Sequence, residues 1–72
     1  MNKLIPGKLY KIEMGFCSNM NIIRSFKPND IVILLAHRTS SPLKHFCTFL
    51  YNNEIISVYF VNPFPYLKLI NK

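Results

Sequence analysis

Residues 46–70, FCTFLYNNEIISVYFVNPFPYLKLI, place two β-rich runs, a two-asparagine link, a proline-bounded turn and a last apolar run in immediate succession. Paired asparagines tolerate the positive φ angles that a two-residue hairpin turn of the primed type demands, so Asn52-Asn53 is the turn. Counting outward, Tyr51 faces Glu54, Leu50 faces Ile55, Phe49 faces Ile56, Thr48 faces Ser57 and Cys47 faces Val58. Cys47, Phe49, Ile56 and Val58 then share the better core face. Pro63 and Pro65 end the second arm, Glu54 to Val61, because proline has no N–H to give a ladder, and Leu67 to Ile70 reads as a short last strand.

The preceding chain reads as sheet built to meet this hairpin. After the turn-like Ile5-Pro6-Gly7, residues Leu9 to Met14 alternate Tyr10, Ile12 and Met14 with Lys11 and Glu13, the period of a half-buried strand. Gly15 to Arg24 keeps neither a helical nor a strand period and reads as a long hairpin-like loop with ordered flanks. Phe26 to Asp30 is a turn. Ile31 to Ala36 is an unbroken apolar run rich in β-branched residues, expected to be a strand buried on both faces. His37 to His45, HRTSSPLKH, carries turn formers and basic or titratable residues, so a surface loop is expected there. Five short strands and no convincing helix in 72 residues imply an all-β single domain, residues 1–72, closed or nearly closed into a small barrel.

Half of the residues are hydrophobic, ten are aromatic and only two are glycine, the composition of a compact globular chain. Nine Lys or Arg against Glu13, Asp30 and Glu54 leave a net charge of +6, which favours an anionic partner. The positives are spread out, with no run of the kind that marks a nucleic-acid arm or a membrane-surface patch. No apolar stretch is long enough to span a bilayer and Met1 to Tyr10 lacks the core of a signal peptide, so the expected setting is cytoplasmic, without a membrane partner. Cys17 and Cys47 are accordingly expected as free thiols.

Little in the chain suggests catalysis. Its three acids lie on separate elements and make no acid/base pair, and there is no phosphate-cradling glycine loop. Thr39, Ser40 and Ser41 lie near His37 and His45 without a third residue to orient a base. Cys17, His37, His45 and Cys47 could in number ligate zinc, yet their spacing fits no compact zinc motif. The expectation is a non-enzyme with no metal and no cofactor.

The order and spacing of the segments resemble the Src-homology-3 (SH3-like) family, whose pattern begins A-L-Y-D-Y, continues through S-F-x-x-G-D-x-I to a tryptophan pair and closes with P-x-x-Y-V. Lys8-Leu9-Tyr10-Lys11-Ile12 stands at the first motif and Ser25-Phe26-Lys27-Pro28-Asn29-Asp30-Ile31 at the second, with Asn29 in the glycine position. Phe46-Cys47 stands at the tryptophan pair and Pro63-Phe64-Pro65-Tyr66-Leu67 at the close. The resemblance implies a five-stranded SH3-like small barrel, with Glu13 to Arg24 as the long loop beside a peptide groove. Tyr10, Phe46, Pro63 and Tyr66 match groove positions, and they are expected to converge on one exposed patch. In the family, acids in the long loop bind the basic residue of a proline-rich ligand in polyproline II form. Gly15 to Arg24 has no acid, so the expected partner is a protein with an acidic or apolar segment, or a second copy of the chain.

The alternative is a nucleic-acid-binding barrel, with a basic rim of Lys8, Lys11, Arg38, Lys44 and Lys68 for phosphates and Tyr10, Phe46 and Tyr66 for stacking. A lone domain this small is expected to have no catalytic domain to recruit. It resembles small viral or phage-type accessory proteins, acting as an accessory, an inhibitor or an assembly subunit.

Overall fold

The computed structural model describes residues 4–70 and contains seven strands among them: β1 (Leu9–Ile12), β2 (Phe16–Cys17), β3 (Ser25–Phe26), β4 (Ile31–Ser41), β5 (Lys44–Tyr51), β6 (Glu54–Phe60) and β7 (Leu67–Leu69). Five form an antiparallel sheet in the order β6-β5-β4-β1-β7, and β2 and β3 form a separate two-stranded sheet. No helix occurs among the described residues, and hence none long and apolar enough to cross a membrane.

The asparagine turn is as the residue types require. Asn52 and Asn53 have φ of 50° and 63°, and the β5–β6 pairs run from Tyr51↔Glu54 to Cys47↔Val58 in the expected register. Cys47, Phe49, Ile56 and Val58 are each at most 1% exposed. A second turn obeys the same chemistry: Asn29 has φ 78°, its N–H donates to Ile12 O at 2.7 Å, and the Asp30 carboxylate accepts the Lys27 N–H at 2.9 Å. Asparagine is there because few other side chains enter that left-handed region cheaply.

The inner face of the sheet carries Tyr10, Ile12, Val32, Leu34, Cys47, Phe49, Ile56, Val58 and Phe60, all buried. The β2–β3 hairpin folds over it. Phe16 and Phe26 stack at 4.8 Å, Phe16 meets Phe60 at 4.9 Å, and Phe26 meets Tyr51 at 5.0 Å, so aromatic rings fill the space between the two layers.

Three expectations are corrected. The sheet is open: its outer strands, β6 and β7, do not pair, and β6 is met instead by asparagine side chains of the long loop. The β4 run is buried on one face only, with Val32 and Leu34 inside while Ile31 and Leu35 are 45% and 40% exposed, because no layer covers the outer face. Finally, residues 37–45 are not a loop. β4 continues to Ser41 and β5 starts at Lys44, so only Pro42-Leu43 turns, with the Leu43 N–H donating to Ser41 Oγ. Cross-strand pairs Arg38↔Phe46 and Thr39↔His45 outweigh the local turn preference of Ser40, Ser41 and Pro42.

Candidate functional site

The long loop is organised by Ser18, a buried polar residue whose Oγ donates to Ile22 O and accepts the Arg24 N–H at 2.6 Å, while its own N–H donates to Arg24 O at 2.8 Å. This knot holds Asn19 and Asn21 against the edge of β6. Asn21 Oδ1 accepts the Ser57 N–H at 2.9 Å, Asn21 Nδ2 donates to Ile55 O at 3.0 Å, and Asn19 Oδ1 accepts the Tyr59 N–H at 3.1 Å. Two side chains two residues apart thus match the two-residue repeat of outward backbone groups on an edge strand. At the far end Arg24 forms a fork with Glu54, Nε to Oε1 at 2.7 Å and Nη2 to Oε2 at 2.5 Å. This hydrogen-bonded pair raises the Arg24 pKa and lowers that of Glu54.

Where the asparagine cover stops, a cleft of about 500 Å³ opens between the loop and the segment after β6. Met14, Phe16, Cys17 and Asn19 form one wall; Val58 to Asn62, with Pro65 and Tyr66, form the other. Its lining contains no charged side chain. Phe16, Phe60 and Tyr66 make a mutually packed aromatic floor, with Tyr66 at 5.6 Å from Phe16 and 5.3 Å from Phe60. Met14 and Val61 are 50% and 54% exposed at the rim. The second wall is shaped by a turn in which the Tyr66 N–H donates to Pro63 O at 3.0 Å and the Phe64 N–H to Asn62 Oδ1 at 3.2 Å. Tyr66 O accepts the Glu13 N–H at 2.8 Å, which ties the turn to the root of the loop.

The four residues expected to form one exposed patch do not meet there. Tyr10 is 2% exposed, with its hydroxyl accepting the Ile5 N–H at 2.8 Å, and Pro63 is fully buried. Tyr66 is half-buried and lines the cleft, whereas Phe46 lies on the outer face of the sheet, between the inward-facing His45 and Cys47. The reason is the pleat: a side chain one residue from a core position must point the other way. Of the basic rim, Lys8 is exposed before β1, while Lys11 and Lys68 oppose each other across β1 and β7. Lys11 also pairs with Glu13 at 3.6 Å. Arg38 lies over the Phe46 ring at 5.4 Å, and Lys44 is exposed at the hairpin end of the same face.

The remaining titratable groups are held structurally. Cys17 and Cys47 are free; Cys17 is exposed, and burial pushes the Cys47 thiol up to about 12, so it is protonated and a poor nucleophile at neutral pH. His45, 8% exposed, has Nε2 at 3.1 Å from Pro42 O and Nδ1 at 3.1 Å from His37 Nε2. A carbonyl only accepts, so His45 Nε2 carries the proton and His37 Nε2 donates to Nδ1. The two ring planes are parallel within 1°, with centroids 5.3 Å apart. The edge-on ring of Phe64, at 5.8 Å from His45, covers the pair.

Asn19, Asn21, Met14, Phe16 and Val61 were not legible as site residues from the sequence. No protein-family model, no curated protein and no solved structure matches the chain.

Proposed function

We propose that the chain is a non-enzymatic, SH3-like binding module that captures an extended apolar segment of another protein and acts as an accessory, inhibitor or assembly subunit in the cytoplasm. The observation that carries this reading is the cleft between the long loop and the Pro63–Tyr66 turn, which has an aromatic floor, an apolar rim and no charge. Concave, mostly apolar sites with a few polar groups are where ligands bind. The cleft also lies beside the loop that the family resemblance puts next to a peptide groove, and Asn29, in the family's glycine position, has the positive φ that glycine would supply. An uncharged lining selects apolar residues over the basic anchor of an orthodox proline-rich ligand. Val61, exposed just past the end of β6 and the asparagine cover, stands at the rim where such a segment would enter.

Panning a displayed random-peptide library on the immobilised domain tests this. Enriched peptides should be apolar and uncharged at their centre, should shift the amide resonances of Cys17, Val61 and Tyr66, and should lose binding to Val61→Asp and Tyr66→Ala. Peptides that bind both variants normally would refute the cleft as the site.

A further inference from the structure

The outer face of the five-stranded sheet has an order of its own. The cross-strand register places Leu9, Ile33, Leu50 and Ile55 in one row across four strands, and Arg38, Phe46 and Tyr59 in another. Between them lies a row of small side chains, Ala36, Thr48 and Ser57, which floors a depression of about 240 Å³ closed at one end by Met20. Phe46 and Leu50 are four residues apart on β5, so the two ridges stand roughly 13 Å apart at strand rise. An α-helix with its side chains is about 10–12 Å across.

Charge defines the rest. Arg38 belongs to one ridge with Lys44 beyond it, and Lys11 and Lys68 lie beyond the other. Two of the chain's three acids are engaged elsewhere, Glu54 with Arg24 and Asp30 with the Lys27 N–H and the Tyr51 hydroxyl, while Glu13 offsets Lys11 and leaves Arg38, Lys44 and Lys68 as the cations that define the face. A trough of small residues between two largely apolar ridges, with cations on or beyond both, is complementary to an apolar stripe with acidic shoulders.

We propose that this face is a second docking surface, adjoining the cleft only at Tyr59, and that its occupant is an acidic amphipathic helix of a partner protein. A sheet face offers no free backbone groups, so an occupant must satisfy its own, as a helix does. A second copy of the chain would set +6 against +6 and bring like charges together. A nucleic acid would find phosphate partners but no stacking platform, since Arg38 covers Phe46 and Tyr59 packs on Phe46 with its hydroxyl donating to Leu43 O. With both surfaces filled, the domain joins two protein segments.

The probe is a synthetic peptide of about 18 residues, a helix roughly 27 Å long, against the 29 Å extent of the domain. It has leucine at helical spacing and glutamate elsewhere, and its controls are the same peptide with lysine for glutamate, and oligouridylate. The acidic peptide should gain helicity on mixing, shift the amides of Arg38, Thr48, Leu50, Ile55 and Ser57, and weaken as salt rises. Arg38→Glu and Ile55→Glu, both exposed and tolerable to the fold, should each reduce its affinity about tenfold or more. Val61→Asp should leave it unchanged, which separates this surface from the cleft. The proposal is overturned if the acidic peptide leaves these amides unmoved, if the lysine peptide binds as well, if oligouridylate shifts them more strongly, or if the domain alone dimerises through them.

Discussion

Replacing Asn19 and Asn21 together by alanine isolates the device that closes the β6 edge. The double variant removes three hydrogen bonds, from the Ser57 and Tyr59 N–H groups and to Ile55 O, at 2.9, 3.1 and 3.0 Å. A net hydrogen bond contributes about 0.5–1.5 kcal/mol, and these groups are exposed enough for water to replace the lost partners. The low half of that range applies, roughly 1.5–3 kcal/mol in total. For a domain of this size such a loss lowers Tm by roughly 6–24 °C. Urea unfolding followed by tyrosine fluorescence gives the stability change, and amide exchange locates it: the Ser57 and Tyr59 amides should exchange about tenfold faster or more, with Phe49 following only the global loss. An uncovered edge is also a template for strand pairing, so the variant should self-associate at concentrations where the parent is monomeric. Equal Tm and equal exchange at Ser57 and Tyr59 in parent and variant would show that the asparagines do not hold the edge.

Phe49→Ala, at a fully buried ring between Phe16 and Phe26, should cost about 3–5 kcal/mol, a large part of the roughly 4–11 kcal/mol expected for 72 residues; an unchanged urea midpoint would place the ring outside the core. Burial first, and the neighbouring His45 second, hold the His37 pKa below its ordinary 6.5, so the folded state resists protonation. The associated stability is present above about pH 6.5 and is lost as pH falls below it towards the lower folded value; the urea midpoint should therefore drop between about pH 7.5 and 5, and the drop should shrink in His37→Gln. A thiol reagent at mildly alkaline pH should titrate Cys17 alone in the folded protein and both thiols in urea, because Cys47 is buried with its pKa near 12. Two fast thiols in the folded state would contradict that burial.

How much could be read in advance differs from element to element. The asparagine pair determined its hairpin, the register of β5 on β6 and the four residues of the core face, because a two-residue primed turn and a period of two leave one arrangement. The all-β class followed from short β-rich runs punctuated by proline and asparagine. Residues 37–45 misled because turn propensity is local, whereas the pairing that straightens them is made to β5. Ile31 to Ala36 misled because an apolar run is silent about whether a second layer exists to cover it; here none does, and Ile31 and Leu35 remain exposed.

The candidate site was less legible still. Tyr66 could be named, but Tyr10 and Pro63 went to the interior and Phe46 to the outer face, since sequence spacing says which residues alternate and not which of two faces the core will claim. The cleft, the asparagine edge and the ridged outer face each join residues from strands or loops far apart in the chain. Their existence depends on where the long loop settles, and that is decided by the aromatic packing of Phe16 and Phe26 on the sheet together with the Ser18 knot. Local residue preferences thus determined the strands and turns, while long-range packing decided which surfaces were left uncovered, because burial is a property of the assembled layers rather than of any one segment.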